Sequence, residues 1–165
     1  MTNSKASNKF PGTIGKHRGV VDGKPYDATE VHVVDSQQSI HIYCDQAVNG
    51  DPTYKFLTIR FSTGFQSGAI IEMGNKRLLM YFEDEGGLFY PGEYGRLYLD
   101  TLDYDNNIYK GHFEDIVFYP YTNNVNTKND NRRTVSGKFE LTGLTDPAKI
   151  QSKISRHSPE LTLEI

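Results

Sequence analysis

Tryptophan is absent from this chain of 165 residues, and cysteine occurs once, at Cys44. A single thiol excludes an intrachain disulfide framework, so the fold must hold on packing and backbone hydrogen bonds. Cys44 follows HIY in a strand-like run and reads as a small buried hydrophobe. No apolar stretch is long enough to cross a bilayer as a helix. The opening residues, MTNSKASNKFPGTIGK, lack the apolar run of a secretory signal. The expectation is a cytoplasmic protein if this is the full chain, and an exported one if a leader has been removed.

Charge of one sign is missing as well. Eighteen Lys and Arg stand against 21 Asp and Glu, a net charge of −3 with both signs interspersed. That leaves no electrostatic footprint for nucleic acid and no basic face for anionic lipid. No glycine-rich phosphate loop precedes a helix, and neither a GxSxG elbow nor an HExxH helix is present. No cofactor is expected, no spacing picks out a catalytic triad, and the oligomeric state is left open.

What is present is a lean aromatic composition. Hydrophobic residues make up 36% of the chain, and eleven Tyr and nine Phe supply much of that apolar area beside 15 Gly. Such a composition suits sheets and turns better than a helical bundle. Period-two alternation runs through EVHVV, IHIYC, YKFLTIRF and TVSGKFEL. In the third run, Leu57, Ile59 and Phe61 share one face, and Phe56, Thr58 and Arg60 the other. In the last, Val135, Phe139 and Leu141 face inward. RLLMYFE is apolar on both faces and reads as a central strand. Asp22-Gly23 is a hairpin signal. Asp146 and Pro147 open a short amphipathic helix, with Ile150 and Ile154 four apart and an end near Arg156.

The expected architecture is all-β: an antiparallel β-sandwich, with a barrel-like form as the alternative, and one short C-terminal helix. Residues 1–15 are expected to be a flexible tail and 16–144 the β-domain. Residues 145–165 are expected to form a helix and extension packing on it. RGVVDGKPYDA, LTIRF, YKGHFEDIVFY and RRTVSGKFEL resemble a type of bacterial, lipoprotein-like β-sandwich domain of unassigned function. The resemblance spans Gly19 to Leu141 and implies the fold. It carries over no functional residue, and this chain departs from it in lacking an export signal and anchoring cysteine and in adding the helix.

Four groups of residues invite a functional reading. Asp103, Asp105, Asn107 and Glu114 match four ligand positions of a calcium loop, but Ile108 stands where that loop needs glycine, so a hairpin turn is expected. A two-residue turn at Ser36-Gln37 would set His32 opposite His41, the beginning of a zinc site without a third ligand. Glu83, Asp84 and Glu85 are adjacent, so an extended strand would point them to alternate faces and not across a cleft. No metal is expected at any of these.

The fourth group is GGLFYPGEYG. Its glycines and Pro91 are expected to make a loop that carries Phe89, Tyr90 and Tyr94 as a ligand-contact surface. The opposing reading has these rings fold back as a plug for the core. Arg132 and Arg133 form a weaker surface candidate. The function expected is a non-catalytic binding or interaction module recognising a protein or a glycan. The alternatives are a hydrolase with dispersed active-site residues and an inhibitor or toxin-neutralising protein.

Overall fold

A computed structural model describes residues 9–48, 51–84, 87–122, 124 and 130–151, with the backbone alone at 46–48 and 51–55. Ten strands follow in chain order: β1 (Ile14–Val21), β2 (Lys24–Asp27), β3 (Glu30–Asp35), β4 (Ser39–Val48), β5 (Asp51–Ser62), β6 (Ala69–Glu72), β7 (Leu78–Glu83), β8 (Phe89–Asp103), β9 (Ile108–Phe118) and β10 (Arg133–Thr142). A short helix, α1, starts at Pro147 and is described through Gln151. The chain is all-β and antiparallel with one small helix. Of the two expected forms, the barrel-like one describes it. The strands make one continuous sheet in the order β2-β1-β10-β9-β8-β7-β5-β4-β3, with β6 added beside β8.

The sheet curls because β8 is long and irregular. Its first residues pair with β7, while the remainder pairs with β9 and β6. Register shifts at Gly92/Tyr94, Tyr94/Arg96 and Leu99/Thr101 bend it between the two halves. The curl brings the two outer edges together. Ala28 N donates to His17 O on β1, and the next residue, Thr29, donates to Asp45 O on β4. At the other end Thr13 Oγ1 accepts from Val33 N and donates to Gly143 O, and Thr145 N donates to Val33 O. Strand β1 thus begins at Ile14, inside the segment expected as a tail, because Gly12 N donates to Leu144 O beyond β10 and Thr13 is bonded to Val33 across the closing edge.

The concave face holds the core. Val33, Ile40, Ile42, Ile59, Phe61, Met80, Leu97, Leu99, Phe113, Phe118, Val135 and Phe139 are all essentially inaccessible there. Inward-facing glycines make room for the rings. A Cβ on Gly137 would stand 2.5 Å from Tyr26 Oη and 2.6 Å from Phe113 Cζ, and one on Gly111 would stand 2.5 Å from Phe139 Cζ. Rings lying over glycines in this way recover the packing that a missing side chain would forfeit.

A second, smaller cluster lies on the convex face of β3, β4, β5 and β7: Val34, Tyr43, Phe56 and Tyr81, with Ile150 of α1 seated on them. Strand β7 is buried on both faces for this reason. Asp146 Oδ1 accepts from Ala148 N at 3.0 Å and caps α1 ahead of Pro147. Ile154 and Arg156 lie outside the described residues.

Candidate functional site

The segment expected to be a loop is strand from Phe89 onward, which separates the three aromatic residues assigned to it. Tyr90 turns inward and is 1% exposed, edge-on to Phe82, with Oη donating to Asp84 Oδ2 at 2.9 Å. Burial first and the Asp84 bond second raise its pKa. Phe89, one residue earlier and hence on the other face, stacks on Tyr81 at 4.8 Å between centroids. Tyr94 stands 61% exposed, edge-on to Tyr119. The three rings form no common surface. Tyr90 and Phe89 are held by packing, and Tyr94 remains as an exposed aromatic on the convex face of β8.

Further along that face lies an open, shallow groove of about 580 Å³. Arg18 and Val20 of β1, Ser136 and Lys138 of β10, His112 and Glu114 of β9, and Asp100 of β8 line it. Alternation places these side chains outward: each follows or precedes a core residue such as His17, Val21, Phe113, Phe139 or Leu99. The bulge between Leu99 and Thr101 inserts Asp100 as an unpaired residue. Its Oδ2 lies 2.7 Å from His112 Nδ1. A bulge re-aims a side chain in this manner. Tyr98 backs the imidazole, its ring parallel within 3° at a 4.6 Å centroid separation. His112 is therefore fixed on one face by Tyr98 and at one nitrogen by Asp100, with Nε2 as its remaining polar atom.

A small, partly open cavity is a poorer candidate. Val21, Tyr26, Ala28, Cys44, Phe56, Leu57, Phe82 and Val135 line most of it, and it holds about 10 Å³, room for about one water. Burial pushes the Cys44 thiol well up, so it is not a poised nucleophile.

The other residues singled out in the sequence are placed as follows. His32 pairs with Tyr43 and His41 with Val34, because the β3–β4 connection spans Ser36 to Ser39 and moves the register by two residues. The two imidazoles are not opposite one another. His32 Nδ1 meets Thr145 Oγ1 and its Nε2 meets Glu30. His41 sits between Ser39 Oγ, at 2.8 Å from Nε2, and Tyr43 Oη, at 2.9 Å from Nδ1. Burial, and then Arg60, lower its pKa to about 4. This Ser–His–Tyr chain has the atoms of a relay, but Ser39 is 3% exposed and Arg60 Nε also donates to it. It holds the β3–β4 turn.

Asp103 accepts from Asn106 N and Nδ2 in the β8–β9 hairpin, bonds that lower its pKa, and Asn107 takes the left-handed conformation at φ 53°. Glu114 lies six residues into β9, away from that turn. Asp84 serves Tyr90 and Leu88 N, and Glu85 lies outside the described residues. Among the described residues, no group of three or more His, Cys, Asp or Glu is arranged to hold a metal ion. No described helix is long and apolar enough to cross a membrane. No family model, curated protein or solved structure matches the chain.

Sequence reasoning missed Tyr98, His112, Lys138 and Arg18. The available signal was the outward half of the alternation in RLYLD, KGHFE and SGKFE. Alternation names the face but not which strands are neighbours.

Proposed function

We propose that this chain is a non-catalytic binding module recognising a protein or a glycan, and that its ligand occupies the convex groove of β1, β10, β9 and β8. The observation that supports this is the immobilised His112, bonded to Asp100 and stacked on Tyr98 at the wall of the groove. A surface side chain held on two sides presents Nε2 and a ring face at little further entropic cost to a ligand. Ser136 is the one hydroxyl lining the groove, and its Oγ accepts from Asp115 N.

The test pairs the wild-type chain with His112→Ala in a glycan panel and in a pull-down with an identified eluate. The expected result is a ligand retained by the wild-type chain and lost by the variant at unchanged melting temperature. A ligand that both chains retain equally overturns the assignment of the groove. An Asp–His pair also orients a general base in water-driven hydrolysis. Release of a cleaved product from the retained ligand, abolished by His112→Ala, would replace the binding reading with that one.

A further inference from the structure

The register across the groove sets two like charges, Arg18 and Lys138, side by side with an imidazole next to them. Arg18 on β1 is directly opposite Lys138 on β10, and Lys138 is directly opposite His112 on β9. Adjacent strands lie about 4.8 Å apart, so this row spans about 10 Å. The rows on either side interleave their charges. Lys16, Glu140 and Lys110 follow one another across β1, β10 and β9 on one side, and Glu114, Arg96 and Glu72 across β9, β8 and β6 on the other, where β1 and β10 carry the uncharged Val20 and Ser136. Like charges directly opposite one another destabilise a sheet, whereas opposite charges stabilise it. The outer face therefore follows the stabilising rule in the flanking rows and between Arg18 and Asp27 of β2, and breaks it at the groove where Arg18 meets Lys138.

Each basic member has an acidic neighbour, and for Arg18 that neighbour, Asp27 of β2, is the next residue of the same row. Arg18 Nε lies 3.2 Å from Asp27, Lys138 Nζ lies 3.4 Å from Glu140, and His112 Nδ1 is bonded to Asp100. The first two are surface pairs in high dielectric and hold their charges weakly. They leave the remaining guanidinium and ammonium donors for a ligand.

The rest of the lining is mixed. Val20 is an exposed apolar side chain, and Glu114, Asp100 and Ser136 offer oxygen acceptors. A bare inorganic anion has no use for an apolar contact or for acceptors. A sugar ring bearing an anionic substituent uses all three: its apolar face on Val20 and the His112 ring, its hydroxyls on the carboxylates, and its anion on the basic row. We infer that the groove binds an acidic saccharide, with its carboxylate or sulfate group held by Arg18, Lys138 and His112. This deepens the binding-module reading and rests on it. The chain's net charge of −3 works against indiscriminate capture of polyanions, so attraction has to be local to this row.

The test uses the full chain and three oligosaccharides of equal length: a uronate oligomer, a sulfated dextran oligomer and neutral dextran. Binding is followed by calorimetry and by backbone amide shifts. At least one acidic oligomer is expected to bind at least tenfold more tightly than the neutral one, with shifts centred on Arg18, His112 and Lys138. Whichever acidic oligomer binds tells a carboxylate from a sulfate. Lys138→Glu and Arg18→Glu, both at exposed positions, should each weaken binding by tenfold or more while the melting curve is kept.

Several outcomes would sink the inference. Neutral dextran binding equally well at the groove removes the anion and leaves the module reading standing. Acidic oligomers held equally by both charge-reversal variants remove the site. Inorganic sulfate at the same concentration giving the same shifts with the same affinity removes the sugar. If none of the three binds, the acidic-saccharide assignment falls, while the module reading is decided by the pull-down with His112→Ala.

Discussion

Tyr26 Oη lies 2.8 Å from His17 Nε2 inside the curled sheet, and His17 is wholly buried against Tyr26, Phe113 and Phe139. Nδ1 of that imidazole has no hydrogen-bond partner. No charged side chain is in contact with the ring among these neighbours, so burial governs its protonation and lowers its pKa to about 3.

This predicts acid sensitivity with a definite sign. In the unfolded chain a histidine binds its proton near pH 6.5, whereas folded His17 resists protonation down to about 3. Between those values the unfolded state carries the extra proton, so stability rises with pH. The His17 contribution is complete above about pH 6.5 and falls away as pH drops toward 3. At pH 5 the loss is roughly 2 kcal/mol. His41, lowered to about 4, acts in the same direction. Urea unfolding at pH 7 and pH 5 checks the magnitude, and an NMR titration checks the group. A His17 midpoint near 6.5 in the folded protein would refute the account.

The same cluster sets a limit on residue size at position 137. An added Cβ would meet Tyr26 Oη, Phe113 Cζ and His17 Nε2 at 2.5, 2.6 and 3.2 Å. Gly137→Ala is expected to cost about 1 to 3 kcal/mol through overpacking. Chemical denaturation should show it, together with a changed Tyr26 environment in near-ultraviolet circular dichroism. A neutral substitution would mean that the rings above this glycine have room to move.

Phe139 tests the core from the other side. It is fully buried, touches His17 and covers Gly111. Phe139→Ala should cost about 3 to 5 kcal/mol. A loss under about 1 kcal/mol would place the ring outside the core.

Tyr90 and Tyr94 should behave in opposite ways. Tyr90→Ala opens a cavity and removes one of the hydrogen bonds to Asp84, so a loss of about 3 to 5 kcal/mol is expected. Tyr94→Ala removes an exposed ring and should change stability by no more than about 0.5 kcal/mol. Equal effects from the two substitutions would contradict the placement of these rings on opposite faces of β8.

Much of the fold was legible in the residue order. Alternation at Leu57, Ile59 and Phe61, and at Val135, Phe139 and Leu141, assigns these side chains to the core because a strand's period is two. Asp22-Gly23 makes the two-residue β1–β2 turn, with φ of 48° and 79°, since both positions of that turn favour residues tolerant of positive φ. Asp146-Pro147 caps a helix for an equally local reason. These are short-range rules of backbone sterics and hydrogen bonding, and a sequence carries them on its face.

Register and bulges were decided elsewhere. The same two-residue-turn logic applied at Ser36-Gln37 misplaces His32 and His41, because Ser36 and Ser39 hydrogen-bond across Gln37-Gln38, a turn centred one residue further on, which shifts the pairing by two. GGLFYPGEYG is rich in loop residues, yet from Phe89 it is strand, paired with the neighbouring β7 on one side and held on the other by bonds from Tyr119 N to Pro91 O and Tyr121 N to Phe89 O, residues well removed in sequence. The groove is the furthest from local rules. Arg18 and Lys138 are 120 residues apart in the sequence, and they meet with His112 and Asp100 only when β1 docks on β10 and a bulge turns the carboxylate outward. Outward positions on a strand carry little burial energy to betray their partners, so the sequence marks the core and leaves the surface constellation to tertiary pairing.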